Sequence, residues 1–254
     1  MENKILNALM EQRKEKGLKS LYWWTQVSFA YNSNKIEGSK LTEEQTELIY
    51  ETNNLYFNEN KDAIKIDDVI EMANHFRLFN LMLDTYDQPL SKELILNYYR
   101  ALKNGTSQSY DPIYNVGGYK KKPNIIGIVN IINTSKPEDV EQDMNSLLSE
   151  YNSLTDVDFE DIVDFHYRFE TIHPLSDGNG RIGRMIMFKE CLKNDIVPFV
   201  VLDQYRAEYI NGLNKYKKPS ERNYLIDTCL LFQDNYKYVC DQTIGTGFSA
   251  ESSI

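Results

Sequence analysis

Apolar residues return at helical spacing along nearly the whole chain, and this period limits what the chain can fold into. In "IDDVIEMANHFRLFNLMLDTY", Val69, Met72, Ala73, Phe76, Phe79 and Leu83 line one helical face. In "DFEDIVDFHYRFETI", Phe159, Ile162, Val163, Phe165 or His166, Phe169 and Ile172 form another such stripe, which ends just before His173 and Pro174. Punctuation sharpens the reading. Gly17 and Gly38 read as C-terminal stops, Thr42 with Gln45 as a capping box, Ser91 and Asp158 as N-caps, and Pro137 as a first-turn proline. The pattern predicts an all-α, mainly helical bundle of roughly eight or nine helices. It breaks between Gly105 and Ser135, where "VGGYKKKPNIIGIVNIIN" carries a glycine pair, β-branched residues and a proline, the signature of a small β-hairpin flap. Residues 1–60 read as an N-terminal helical lobe, 61–240 as the main body and 241–254 as a flexible tail, with "TNNLYFNENKDAIK" as the separator.

Composition excludes several classes of function. Asp plus Glu number 38 against 28 for Lys plus Arg, and the resulting net charge of −10 repels nucleic-acid backbones and anionic membranes alike. The three cysteines, Cys191, Cys229 and Cys240, have neither metal-like nor redox spacing and read as buried thiols of a reducing compartment. The N-terminal segment lacks the apolar run of a leader, and Pro198 interrupts the longest apolar stretch, so a cytoplasmic location is expected.

Chemistry concentrates in "HPLSDGNGRIGR", residues 173–184. The stretch leads from the end of one predicted helix into the start of the next, where unpaired N–H groups and the positive end of the dipole favour an anion. Gly178 and Gly180 let a phosphate approach the backbone. Arg181 and Arg184 can each fork onto phosphate oxygens, Asp177 suits a Mg²⁺ that keeps its waters, and His173 has the range of a general base. Taken singly these residues are a helix end and a turn; together they answer what phosphoryl or nucleotidyl transfer requires.

The stretch "FETIHPLSDGNGRIGR" resembles the signature of the Fic family, H-P-F-x-D/E-G-N-G-R-x-x-R, with Leu175 standing where the family usually has Phe. The resemblance implies a Fic-type helical fold and the transfer of AMP from ATP to a protein hydroxyl. It further implies that His173 deprotonates a target Ser, Thr or Tyr, and that Asp177 holds Mg²⁺, with Mn²⁺ as an alternative. The amides around Gly178, Asn179 and Gly180 then steady the transferring group, Arg181 holds the β-phosphate region and Arg184 the γ-phosphate. A second stretch, "NSNKIEGSKLT", places Ser33 and Glu37 on one face of a helix that Gly38 ends. Glu37 sits at the negative end of that helix dipole, where a carboxylate needs another partner, and an arginine would suit. The stretch resembles the family's inhibitory motif, S/T-x-x-x-E-G/N, in its N-terminal, class II position. That resemblance implies that Glu37 pairs with Arg184 where the γ-phosphate must bind, leaving the chain autoinhibited.

The flap at 118–132 matches the region where the family aligns its target segment, with Tyr119 and Lys120 in place of the family's common Tyr-Arg. In "LDQYRAEYINGL", Tyr205 reads as core and Tyr209 as part of the nucleotide pocket. The expected partners are ATP and a target protein, with self-modification and a homodimer as further options. The competing readings are another Fic-type transferase moving phosphate, UMP or phosphocholine, a bifunctional enzyme that also removes AMP, and a non-enzymatic nucleotide sensor.

Overall fold

A computed structural model describes residues 3–15, 17–56, 63–126 and 132–248. Helices α1 (Lys4–Glu15), α2 (Leu21–Ile36), α3 (Glu43–Thr52), α4 (Ile66–Asp84), α5 (Lys92–Lys103) and the single turn α6 (Ser107–Tyr110) come first. The short strands β1 (Ile125–Ile126) and β2 (Ile132–Asn133) follow. Then come α7 (Val140–Asn152), α8 (Phe159–Ile172), α9 (Asn179–Lys193), α10 (Arg206–Lys215) and α11 (Asn223–Ile244). The described residues thus hold eleven α-helices rather than eight or nine, the four-residue α6 among them, with 3₁₀ turns at Asp203–Tyr205 and Pro219–Glu221.

Local chemistry sets most of the helix boundaries. Thr42 Oγ1 accepts from the Gln45 N–H at 3.2 Å while Gln45 Oε1 accepts from the Thr42 N–H at 3.0 Å, the reciprocal box anticipated for α3. Ser91 caps α5 and Asp158 caps α8. Pro137 lies in the turn before α7 rather than within it, because the helix begins at Val140. At the other end of the chain, α11 continues past Cys240 to Ile244 and closes on Gly245 in the left-handed region. Asp241 Oδ1 then accepts the Phe248 N–H at 2.8 Å, so the predicted tail is ordered as far as Phe248; residues 249–254 lie outside the described residues.

The predicted flap is represented by a two-residue antiparallel pairing, Ile125 opposite Asn133 and Ile126 opposite Ile132. Residues 127–131 of that flap, and 57–62 of the predicted separator, lie outside the described residues.

At the centre of the fold runs α9, packed against α8, α2, α4 and α5. It is buried nearly all round, from Asn179 to Leu192, as befits a helix surrounded by others. The main apolar core joins α1, α2, α4, α5, α7, α8 and α9 through residues such as Leu9, Phe29, Phe79, Tyr98, Leu147, Phe169 and Phe188. A second cluster around Met187, Phe199, Tyr209, Leu225 and Phe232 packs α10 and α11 against α8 and α9. All three cysteines are free and buried, as expected. Among the described residues no helix is long and apolar enough to cross a membrane.

Candidate active site

The candidate site is the connection from α8 to α9. Helix α8 ends on His173, which adopts the left-handed conformation (φ 52°, ψ 60°) and donates its N–H to Phe169 O at 2.8 Å. Pro174 follows and cannot continue a helix. Gly178, also left-handed at φ 79°, opens α9. Two left-handed residues five positions apart bound the connection between the two helices. Asn179 fastens the turn, because its side-chain Oδ1 accepts the Leu175 N–H at 2.8 Å and its Nδ2 donates to Leu175 O at 2.9 Å. The anticipated Asn179 contribution was its backbone amide; the fully buried side chain has this second, structural task. Leu175 is fully buried in the main core, so the departure from the family's usual Phe falls on a packing position.

Around the loop the charges form a closed ring. Arg181 pairs with Glu71 of α4 and donates from Nη1 to Asn34 Oδ1 of α2 at 3.2 Å. Glu71 also pairs with Lys103 of α5, and Lys103 Nζ reaches Asp177 Oδ2 at 2.5 Å. Arg181 Nη2, 3.7 Å from Asp177 Oδ1, completes the circuit. Burial disfavours the charged form of Asp177, yet Lys103 and Arg181 together hold it well below the usual carboxylate range. Asp177 Oδ1 further accepts the Gly178 N–H at 2.7 Å.

One turn further along α9, Arg184 gathers the end of α2. Its Nε donates to Ser33 Oγ at 3.0 Å, and its Nη2 to Ser33 O at 2.9 Å and to Glu37 Oε1 at 2.8 Å. Burial works against the Glu37 carboxylate, while Arg184 and Arg181 more than offset it and keep Glu37 ionised. Gly38, at φ 96°, lets the chain leave α2 immediately after Glu37. The pairing of Glu37 with Arg184 anticipated from sequence is therefore present. Glycine in the first turn of α9 leaves room for this pair, since a Cβ on Gly180 would meet the carboxylate end of Glu37 and displace it.

Burial, with the Lys120 ammonium adding to it, pushes the His173 imidazole down to about 4, so the ring is neutral and able to accept a proton at neutral pH. Its Nδ1 lies 3.7 Å from Glu170 Oε2, and burial followed by the nearby Glu37 carboxylate raises Glu170 to about 8. The base of the flap is tied directly to the loop. Lys120 donates its N–H to Pro174 O at 2.8 Å and its Nζ to Asn124 Oδ1 and Thr134 Oγ1 at 2.6 and 2.8 Å, while Asn124 Nδ2 donates to Leu175 O at 3.0 Å.

Tyr209 meets the site from the core side, where its hydroxyl hydrogen-bonds with Arg184. This residue, read as a wall for adenine, is 1% exposed and belongs to the second core cluster, with its hydroxyl also 2.5 Å from His166 Nε2. The packing of α10 on α11 turns it inward, where Gly212 meets Leu225 closely. Tyr205, read as core, is partly buried against Phe232. Sequence reasoning passed over Asn34, Glu71, Lys103 and Glu170, and named Lys120 only as part of the flap. Glu71 had a detectable signal, since Glu71, Asn74 and His75 are polar residues in a strongly apolar helix; Lys103 had none.

As to a metal, no group of three or more His, Cys, Asp or Glu side chains converges on a common point among the described residues. A single carboxylate, with its side chain 40% exposed, fits a divalent ion that takes its other ligands from phosphate oxygens and water.

Residues 89–191 match the Fic/DOC family, a span that holds α5, the flap strands, α7, α8, the loop and nearly all of α9. The chain is 23% identical over 223 residues to a protein named protein adenylyltransferase fic-1 from Caenorhabditis elegans, covering 84% of this chain and 42% of that one. It is 25% identical over 190 residues to protein adenylyltransferase Fic from Nematostella vectensis, covering 73% and 42%. The chain therefore spans less than half the length of these curated relatives. In fold it is similar to a Fic domain containing signaling protein from Bacteroides thetaiotaomicron, with a TM-score of 0.73 at 24% identity and with 93% and 94% of the two chains covered. Loop, surrounding helices and family match agree on one conclusion: residues 89–191 of this chain match the Fic/DOC family, and the chain as a whole is similar in fold to a Fic domain containing protein.

Proposed function

We propose that this protein is an autoinhibited adenylyltransferase that moves AMP from ATP to a hydroxyl side chain of a target protein. The observation that carries this reading is the alignment, at the start of one buried helix, of a neutral His173, the Asp177 carboxylate and two arginines around a glycine-lined helix N-terminus. The names of the curated relatives support it.

In this reading His173 accepts the proton of the target hydroxyl as its oxygen attacks the α-phosphorus, and pyrophosphate leaves. The amides at Asn179 and Gly180, joined by that of Gly178 when it releases Asp177 Oδ1, face the oxygens of the transferring group with the positive end of α9 behind them. Asp177 would hold Mg²⁺ or Mn²⁺, which lowers the charge of the phosphates when bound with ATP. Arg181 neutralises the β-phosphate region and Arg184 the γ-phosphate. The flap base, held to the loop by Lys120 and Asn124, presents an extended target segment near His173. Glu37 takes the guanidinium of Arg184 that the γ-phosphate needs, so ATP binds unproductively in the resting protein.

Glu37→Gly frees Arg184 and is expected to raise label transfer from α-labelled ATP to protein at least about tenfold, since the ion pair competes directly with a phosphate. His173→Ala in the Glu37→Gly background abolishes the gain. The gel readout of labelled protein, with Mg²⁺ and cell lysate supplying targets, decides the matter. Label from γ-labelled ATP instead would identify a phosphotransferase, and silence with every donor would favour a sensor.

A further inference from the structure

We propose that Lys103 competes with the divalent cation for Asp177, so that the cation binds well only together with nucleotide. The proposal rests on the reading of Asp177 as the metal-holding carboxylate. Lys103 is the last residue of α5, and its side chain is fully buried. A lysine removed from water must find carboxylates, and Lys103 has two, Glu71 and Asp177. Its ammonium already occupies Asp177 Oδ2, while Oδ1 is engaged by the Gly178 N–H, so each oxygen of the carboxylate carries a donor before any metal arrives.

Charge balance leads to the same conclusion. The ring contains Lys103 and Arg181 as cations and Glu71 and Asp177 as carboxylates, and it is neutral as it stands. A divalent ion entering alone would leave two uncompensated positive charges beside a buried ammonium. The phosphates of a nucleotide supply the missing negative charge, and in their presence the same ion is welcome. Lys103 acts through Asp177, without touching the reacting atoms, and is in that sense a positioning residue: a tethered cation that makes metal binding and nucleotide binding depend on each other.

The test titrates the full-length chain with Mn²⁺ in the absence of nucleotide and reads free Mn²⁺ by its electron paramagnetic resonance signal. Lys103→Met is expected to bind Mn²⁺ about tenfold or more tightly than the wild type, because the repelling charge is gone. Lys103→Gln, which keeps hydrogen-bond donors for both carboxylates, carries the same expectation if the methionine variant fails to fold, and Lys103→Arg, which keeps the charge, should behave as the wild type does. Addition of a non-hydrolysable ATP analogue should narrow the gap between Lys103→Met and wild type. Asp177→Asn in the Lys103→Met background should erase the gain. Mn²⁺ affinity in folded Lys103→Met or Lys103→Gln no greater than that of the wild type overturns the proposal, as does a gain that survives Asp177→Asn. The titration does not use transfer activity, so an adenylylation assay that fails in Glu37→Gly would count against the proposed function while leaving this result readable.

Discussion

Ser33 and Glu37 are separated from Arg184 by about 150 residues of chain, yet all three meet in one set of hydrogen bonds. The four-residue spacing within α2 and the three-residue spacing of Arg181 and Arg184 on α9 made each half of this arrangement visible in the sequence. Gly180 is where the halves touch. A Cβ there would strike Glu37 Oε1 and lie 2.9 Å from Arg184 Nη1, both ends of side chains rather than backbone. Gly180→Ala should therefore leave the fold intact and turn Glu37 away from Arg184. The cost in stability should stay near or below about 1 kcal/mol, because the ion pair is partly open to water. A crystal structure of the variant reads the outcome, and an unmoved Glu37 carboxylate would contradict it. Lys103 shows the opposite situation: as a lysine in the last turn of an amphipathic helix it looks like an ordinary solvated charge, and only the approach of α4 and the loop turns it into a fully buried partner of two carboxylates.

Among the elements, α8 and α9 form the pair that builds the site, and Gly183 sets how closely they approach. A Cβ at this position would lie 2.8 Å from His166 Nδ1 and 2.9 Å from Glu170 Oε1. His166 cannot retreat freely, since its other nitrogen is held by the Tyr209 hydroxyl at 2.5 Å. Gly183→Ala is expected to destabilise the protein by about 1–3 kcal/mol through overpacking, despite the better helix propensity of alanine. Urea denaturation measures it, and a variant as stable as the wild type would show that the helices are less tightly coupled than the contacts suggest. Helix existence and many caps were readable because both depend on local spacing: Thr42, Ser91 and Asp158 each act within three residues of themselves. The inward turn of Tyr209 was unreadable, because a tyrosine at helical spacing fits a core or a ligand wall equally well until α11 is placed against α10.

For the molecule as a whole, burial of ionisable groups predicts acid sensitivity. The chain has only three histidines. Burial pushes His75 and His166 down to about 3 and His173 to about 4. The unfolded chain binds these protons near pH 6.5 and the folded chain does not, so stability falls as the pH drops from about 6.5 towards 4, by up to about 1.4 kcal/mol per pH unit for each histidine. Glu170, raised to about 8 by burial and the Glu37 charge, works the other way. It is protonated in the folded state first, so its contribution strengthens as pH falls from 8 towards 4.5 and offsets part of the loss. Melting temperatures should fall steadily between pH 6.5 and 4.5, and His75→Phe should flatten the slope; a flat profile in the wild type would show that the histidines are less buried than they are here. What the sequence by itself determined was the all-helical architecture, most helix ends, and the grouping of His173, Asp177, Gly178, Gly180, Arg181 and Arg184 on one loop and helix start, because these follow from periodicity, capping and short spacing. What only the tertiary structure decided was the company those residues keep: Glu71 and Lys103 closing a charge ring on Asp177 and Arg181, Asn34 and Ser33 reaching α9 from α2, and Tyr209 turned into the core. Such contacts depend on helices far apart in the chain meeting around α9, and the energy that brings them together comes from apolar burial along their whole lengths rather than from the polar groups that finally touch.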